Sequence, residues 1–551
     1  ELMLAASGSG GRIRLERSTK EENFLSGEVT LDTTVKALDV NFKVTAINIS
    51  GDHRWLYLGD ENGQIHFINT ATMQEGQVVQ VADQAITSMT MLLGGISVLA
   101  GDAGGTVTQL FPVRDSDNKY NLEIIRRFEG NQSAITQIIP EERRKGFMTL
   151  DADSTLSIFH STAGELILRE KLDAQPQALA LAPRASGLLA LYDDKRAEFM
   201  DIDNEHPEVS FASLWSKVWY ENYAEPEYVW QSSSSSNDFE PKFSLSPLAF
   251  GTLKAALYAM LFALPLALLG AAYTAYFMSS SLRRLVKPTI EIMAALPTVI
   301  LGFLAGLWFA PFLEENLAGV FAMLIVMPAG LLIFAWFWTR ASWRLKNYVK
   351  EGWEPVLLLP VLVVLALVSI EFVGPFQDLF FGGDLRNWLS REAGISYDQR
   401  NALVVGCAMG FAVIPTIFSI AEDAIYGVPT TLSDGSLALG ATPWQTMVRV
   451  TLPTASPGIF SAIMIGLGRA VGETMIVLMA TGHTPIMDWN LFEGMRTLAA
   501  NSAVERPESA MNSSHYRILF LAALVLFMFT FVVNTGAELI RQRLREKYSS
   551  L

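Results

Sequence analysis

Two hydrophobic patterns divide the chain. Up to about residue 245, apolar residues come in short alternating runs separated by polar turns, the period of half-buried strands. Beyond that they gather into blocks near the twenty-residue length that crosses a bilayer, at 250–277, 289–311, 317–338, 354–373, 401–421, 457–480 and 516–538. The patterning predicts an all-β soluble domain over 1–230, a serine-rich linker over 231–248 containing QSSSSSND, and an all-α polytopic membrane domain with about seven spans over 249–540. A basic tail closes the chain over 541–551.

The first part carries a faint repeat. YLGDENGQIHFIN, LAGDAGGTVTQLF, TLDADSTLSIFH and LALYDDKRAEFMD place Asp60, Asp102, Asp151 and Tyr192 equivalently, at intervals of 42, 49 and 41 residues. Each unit reads strand, polar turn, strand, and each is preceded by a further strand such as TAINI, SMTMLL, AITQIIP or ALALAP. A unit of about forty residues with four strands is the blade of a β-propeller, so a WD40-like fold is expected, N-terminally incomplete at four units. Asp and Gly in the turns invite a calcium or sugar site, but they are also what tight hairpins require, and the turn reading is preferred. No metal site is expected.

Composition sharpens the division. The chain has 551 residues, 50% hydrophobic and 18% charged, with a net charge of -15 and a mean hydropathy of +0.28, too apolar for a soluble protein of ordinary makeup. The single cysteine, Cys407, excludes a disulfide within the chain, a cysteine-built zinc site and a thiol redox pair. No G-x-x-x-x-G-K-[ST] loop occurs, and GDAGG at 101–105 has no following Lys, so the chain is expected to hydrolyse no nucleotide and to bind no cofactor itself. The acidic balance argues against a nucleic-acid partner. It also argues against substrate capture of an anion by the first domain, for which docking of protein partners or regulation fits better.

Charges alternate between the apolar blocks. Arg283, Arg284 and Lys287, then Arg340, Arg344, Lys346 and Lys350, then Arg449, then Arg541, Arg543, Arg545 and Lys547 mark every second loop as cytoplasmic, with the large first domain outside. Such a domain needs export. The sequence starts at Glu1 without an apolar opening stretch, so a natural N-terminus bearing a signal anchor is expected to be missing.

Residues 434–453, DGSLALGATPWQTMVRVTLP, stand between two of the blocks. Asp434, Gly435, Ser436, Gly440, Val450, Leu452 and Pro453 resemble, without insertion or deletion, the coupling-loop motif of ABC importer permeases, with Asp434 where Glu is usual and Gly435 and Ser436 where Ala is usual. An ordinary amphipathic connector is the plain alternative. The resemblance implies a short helix that seats in a groove on a separate ATPase. Gly440 is expected to break its first helix, and Pro453 to stop the second and turn the chain back into lipid.

The block that follows contains GLGRAVGETMIVLMATG, residues 466–482. Charge inside a span is costly, and Arg469 and Glu473, four apart, are expected on one helical face, either pairing with each other or lining a polar path; the second reading is preferred. Gly466, Gly468, Ala470 and Gly472 suit close helix packing beside it. GRAVGETM at 468–475, IEIMAALPTVILGF at 290–303 and VIPTIFSIAEDAIYGVP at 413–429 resemble the permeases of phosphate-specific ABC importers, in particular the PstC-like subunit in a long form with an extra periplasmic domain. The blocks at 317–373 stand outside that resemblance as an apparent two-span insertion.

The resemblance implies a type I ABC importer permease in the bacterial inner membrane that imports inorganic phosphate. Arg469 and Glu473 would line the substrate path, and ATP and Mg would be used by a cytoplasmic ATP-binding subunit. A second permease subunit, a periplasmic phosphate-binding protein and membrane lipid complete the implied partners. Pro297, Gly302, Pro265 and Pro415 would provide helix breaks. Two alternatives stay open: a permease for another oxyanion such as sulfate, molybdate or phosphonate, and a membrane-anchored propeller acting as sensor or scaffold.

Overall fold

The computed structural model describes residues 2–7, 11–22, 29–234, 239–340, 354–371 and 373–549. It comprises two compact units, Glu1–Ser246 with Ser513–His515, and Pro247–Asn512 with Tyr516–Leu551. Strands of the first unit form five successive antiparallel sheets, each wound up and down in chain order. The first sheet holds β1 (Leu2–Ser7), β2 (Arg12–Glu22) and β3 (Val29–Asp39). The second holds β4 (Val44–Ile49), β5 (Trp55–Asp60), β6 (Gln64–Asn69) and β7 (Gln74–Gln80), and the third β8 (Ile86–Met91), β9 (Val98–Asp102), β10 (Val107–Arg114) and β11 (Tyr120–Phe128). The fourth holds β12 (Ile135–Pro140), β13 (Gly146–Asp151), β14 (Thr155–His160) and β15 (Leu166–Lys171), and the fifth β16 (Ala178–Leu181), β17 (Gly187–Leu191) and β18 (Ala197–Asp201).

First strands of neighbouring sheets lie against one another, β1 on β4, β4 on β8 and β8 on β12. The inner strands β9, β13 and β14 are buried while the last strand β15 is exposed. That is the blade arrangement of a propeller. The repeat reading finds the last four sheets and misses β1–β3, whose hairpins lack the Asp turn. A short helix, α1 (Phe211–Trp215), and a ribbon of β19 (Trp230–Gln231) with β20 (Lys242–Phe243) follow the last blade. Gln231 of the expected serine linker is therefore paired, and residues 235–238 of that linker lie outside the described residues.

The repeated Asp closes its turn the same way three times. Oδ1 of Asp60 accepts the N–H groups of Asn62 (2.9 Å) and Gln64 (2.7 Å), that of Asp102 accepts from Gly104 (2.9 Å) and Thr106 (2.8 Å), and that of Asp151 from Asp153 (3.0 Å) and Thr155 (2.8 Å). In the last sheet Tyr192 occupies the place, and Asp194 Oδ1 accepts from the Arg196 N–H instead, at 2.9 Å. Carboxylates used in this way are turn residues. The glycine before two of these Asp residues sets the spacing between blades. A Cβ on Gly59 would stand 2.8 Å from Ile86, and one on Gly101 2.7 Å from Ile135. Each isoleucine begins the neighbouring sheet, so the blades close on each other only where a side chain is missing.

The second unit is helical: α2 (Ser246–Tyr276), α3 (Ser280–Met293), α4 (Thr298–Leu304), α5 (Ala310–Glu315), α6 (Leu317–Arg340), α7 (Glu354–Glu371), α8 (Val373–Phe381), α9 (Leu385–Arg391), α10 (Ala402–Tyr426), α11 (Thr430–Ala438), α12 (Pro443–Thr446), α13 (Leu452–Gly472), α14 (Met475–Ala480), α15 (Leu498–Glu505) and α16 (Ser514–Ser549). Wide π turns at Ala305–Phe309 and Met447–Thr451 join α4 to α5 and α12 to α13. Among the described residues six stretches are long and apolar enough to cross a membrane: Ser246–Tyr276, Thr298–Glu315, Leu317–Arg340, Ala402–Tyr426, Pro443–Gly472 and Ser514–Arg543, with a shorter apolar helix at Val356–Glu371.

Of the expected helix breaks, Pro297 provides one, and Pro265, Pro415 and Gly302 do not. Pro297 divides the block expected at 289–311, because it caps α4 in an extended conformation after α3 has ended. Pro265 and Pro415, expected as breaks, lie inside the continuous helices α2 and α10. Gly302 is a contact point, since a Cβ there would lie 2.8 Å from the Met475 carbonyl oxygen. The two helices of the expected insertion pack on each other, Gly330 against Leu365, and the loop carrying Arg344, Lys346 and Lys350 lies outside the described residues. Helices α10 and α13 pack closely: a Cβ on Gly466 would sit 2.4 Å from Ile417, and one on Gly458 2.4 Å from Ala424. Without a hydrophobic drive between helices in lipid, such close backbone approach is what holds them together.

Replacing Gly101 by Val should overpack the interface between blades, at a cost of about 1–3 kcal/mol. Amide exchange in β9 and β12 should then speed up, whereas Asp102→Asn, which keeps the Oδ1 acceptor, should leave it close to the parent.

Candidate functional site: an arginine-lined cavity and an exposed coupling segment

Asp434, Gly435 and Ser436 lie on α11. Gly440, with φ +89, turns the chain after that helix, and the N–H of Ala441 reaches back to the Ser436 carbonyl at 3.3 Å. Thr442 and Gln445 then form a reciprocal cap on α12, and the hydroxyls of Ser436 and Thr446 meet at 2.9 Å, tying α11 to α12. The segment is exposed, with Leu439 91% and Trp444 62% accessible. A Cβ on Gly435 would meet nothing within 4 Å. Nothing inside this unit requires a small residue there, as a surface for close approach by another backbone would.

Val450 lies in the π turn, and Leu452 and Pro453 open α13. Pro453 does not stop the helix as expected. Helical chain runs from Pro443 to Gly472 as one membrane-length stretch, because the widened turn ahead of the proline absorbs its missing N–H and its ring.

Arg469 sits in the last turn of α13, half-buried, and its Nη1 donates to the Thr416 hydroxyl of α10 at 2.7 Å. No ion pair to Arg469 is present among the described residues. A cavity of about 580 Å³ opens beside it between α13 and α16, lined by Ser461, Gly468, Arg469, Thr530, Asn534, Glu538 and Arg541 among others. Arg541 pairs with Glu538 at 2.8 Å. Two guanidiniums, two hydroxyls and an amide in one cavity, against one carboxylate already engaged, suit a small oxyanion.

Glu473 is not part of that cavity. Helix α13 ends at Gly472, Glu473 takes an extended conformation (φ -67, ψ 126), and its Oε1 accepts the N–H groups of Met475 (3.2 Å) and Ile476 (3.4 Å) at the start of α14. Arg469 and Glu473 therefore do not share a helical face as expected, and the alternative of an ion pair between them is absent too, since the helix that would align them is broken by a glycine and a carboxylate that caps instead. Of the small residues around them, Gly466 packs on α10, Gly468 lies near Asn534, and Gly472 has open space. Thr416, Asn534 and Glu538 escaped the sequence reading. The signal was available for two of them, a polar Asn534 and an acidic Glu538 in or beside an otherwise apolar block.

Residues 332–546 match the family of binding-protein-dependent transport system inner membrane components. Over those residues the membrane unit is similar to this family. That similarity and the membrane-length helices support an ABC permease, a multi-pass membrane transporter component. The chain is 26% identical over 295 residues to the phosphate transport system permease protein PstC 1 of Mycobacterium tuberculosis, covering 53% of this chain and 70% of that one. PstC of Xylella fastidiosa is 28% identical over 315 residues, 57% of this chain and 79% of that one. A phosphate transport system permease protein PstA 1 of M. tuberculosis is 32% identical over 146 residues, 26% of this chain and 47% of that one. The β-propeller domain of Cps50 (Swd1) from Myceliophteria thermophila aligns with 36% of this chain and 67% of its own at TM-score 0.30 and 13% identity. The propeller character of the β unit rests on its strand order, not on that alignment.

Glu473→Ala should remove the cap of α14 and cost about 1 kcal/mol, read as a lower thermal midpoint in detergent. Glu473→Gln keeps the acceptor and should hold the midpoint near the parent. An ion pair with Arg469 as the main role of Glu473 would make both variants lose alike.

Proposed function

We propose that the permease imports inorganic phosphate, driven by ATP hydrolysed with Mg on a separate cytoplasmic subunit that docks on residues 434–453. The observation that carries this reading is the Arg469 guanidinium, set among apolar helices with a neutral hydroxyl as its partner and facing the cavity shared with Arg541. A half-buried cation between membrane-spanning helices is costly when it has no counter-charge, and a passing oxyanion supplies one. The PstC names of the relatives favour phosphate over sulfate, molybdate or phosphonate.

Exposed Leu439 and Trp444 give the ATP-binding subunit an apolar anchor. The PstA relative supports pairing with a second, different permease, and the family's description supports delivery by a periplasmic binding protein. By charge alternation, the coupling segment and the tail face the cytoplasm, and the β unit lies outside the membrane. Glu473 acts on the path indirectly, by fixing where α13 ends.

Reconstituted with its ATPase and partner permease, Arg469→Ala should lower phosphate uptake by about 10–100-fold, the loss of one charge-assisted contact. Arg469→Lys should keep part of it. Uptake equal to the parent in Arg469→Ala would overturn this reading.

A further inference from the structure

Helix α10 carries an ionic cluster that the transport reading leaves unused. Glu422, at the end of α10 that leads into α11, is fully buried. Nε and Nη2 of Arg283 each lie 2.5 Å from its Oε1, and Lys287 Nζ lies 2.9 Å from its Oε2. Lys287 also pairs with Asp423, and the Arg283 guanidinium lies 3.4 Å over the ring of Tyr426. One turn back, the Ser419 hydroxyl donates to Glu291 at 3.2 Å. Both cations and Glu291 come from α3, so two helices far apart in sequence are fastened along their length.

About 9 Å further along α10, at 1.5 Å per residue, Thr416 holds Arg469. In the other direction, Thr430 opens the coupling helix α11 just after Tyr426. One continuous helix therefore carries the buried ionic clamp and the hydroxyl that places the substrate-facing guanidinium, and a three-residue turn, 427–429, joins it to the segment proposed to dock the ATPase. Stability alone does not call for such a clamp, because apolar residues of the same volume hold buried helix ends as well or better. What the charges add is direction: a multiply bonded carboxylate resists rotation and sliding of α10 against α3 in a way that apolar packing does not.

Resting on the transport reading, we propose that Glu422, clamped by Arg283 and Lys287, and Thr416 are positioning residues that make α10 a rigid lever between the coupling helix and Arg469. With the clamp in place, displacement of α11 moves Thr416 and so re-aims the guanidinium. With the clamp broken, α10 twists locally and the ATPase turns over without moving substrate.

The test is phosphate uptake per ATP hydrolysed, measured on the complete complex in vesicles. Glu422→Gln, which keeps size and removes charge, should lower that ratio by about tenfold, within the 5–150-fold range of ordinary site-to-site linkage, while hydrolysis continues. Thr416→Val should lower it similarly, Thr416→Ser should restore it, and the double variant should be no worse than either single one, as for residues on one line of transmission. If uptake and hydrolysis fall together so that the ratio stays at the parent value, the clamp is structural only and the proposal is overturned. Should Glu422→Gln fail to assemble, the ratio in Thr416→Val, which replaces a hydroxyl by a methyl, decides alone. Arg469→Ala separates the two readings: normal uptake there sinks the transport reading, whereas lost uptake there with unchanged ratios in the other variants sinks only the lever.

Discussion

A guanidinium lodged among apolar helices is the constraint on which the membrane unit turns. Withdrawing such a charge from water is costly unless something answers it, and its hydrogen-bond partner among the described residues is one hydroxyl, Thr416. That bond requires α10 and α13 to lie close, and they do because Gly458 and Gly466 leave room for Ala424 and Ile417. The same approach leaves α13 free on its other side, where Gly468 and Arg469 open onto Asn534, Glu538 and Arg541 of α16. The chain between α10 and α13 is the exposed segment that carries Asp434 to Pro453.

The β unit solves a different problem, stacking sheets edge to centre in water. Its devices are repeated: an Asp that ties its own turn, and a glycine that lets the next blade's isoleucine in. Burial of polar groups deep in the blades is answered locally too. His160 is buried, and burial, with Arg144 and Arg126 nearby, pushes its pKa down to about 3, so it stays neutral wherever the fold is intact near neutral pH.

Much of this was legible in the sequence because it follows from period and spacing. Alternation showed the strands, twenty-residue blocks showed the spans, and the unbroken spacing from Asp434 to Pro453 picked out the exposed segment between α10 and α13. What was hidden depends on backbone detail. A four-residue spacing suggested that Arg469 and Glu473 share a face, but that holds only while the helix lasts, and it ends between them. Pro453 looked like a stop until a π turn made room for it. The first sheet lacked the Asp turn that revealed the others, and the meeting of α3 with α10 joins residues with no periodic relation. Contacts across sequence distance were the part that no single stretch could announce.

Occupancy of the space next to Arg469 by an oxyanion is the central requirement, and the rate of thiol labelling at Asn534→Cys, in a Cys407→Ser background, measures it. Phosphate should slow reaction with a charged methanethiosulfonate, and the protection should vanish when Arg469→Ala is added. Labelling at the same rate with and without phosphate, in a chain that keeps Arg469, would contradict the account.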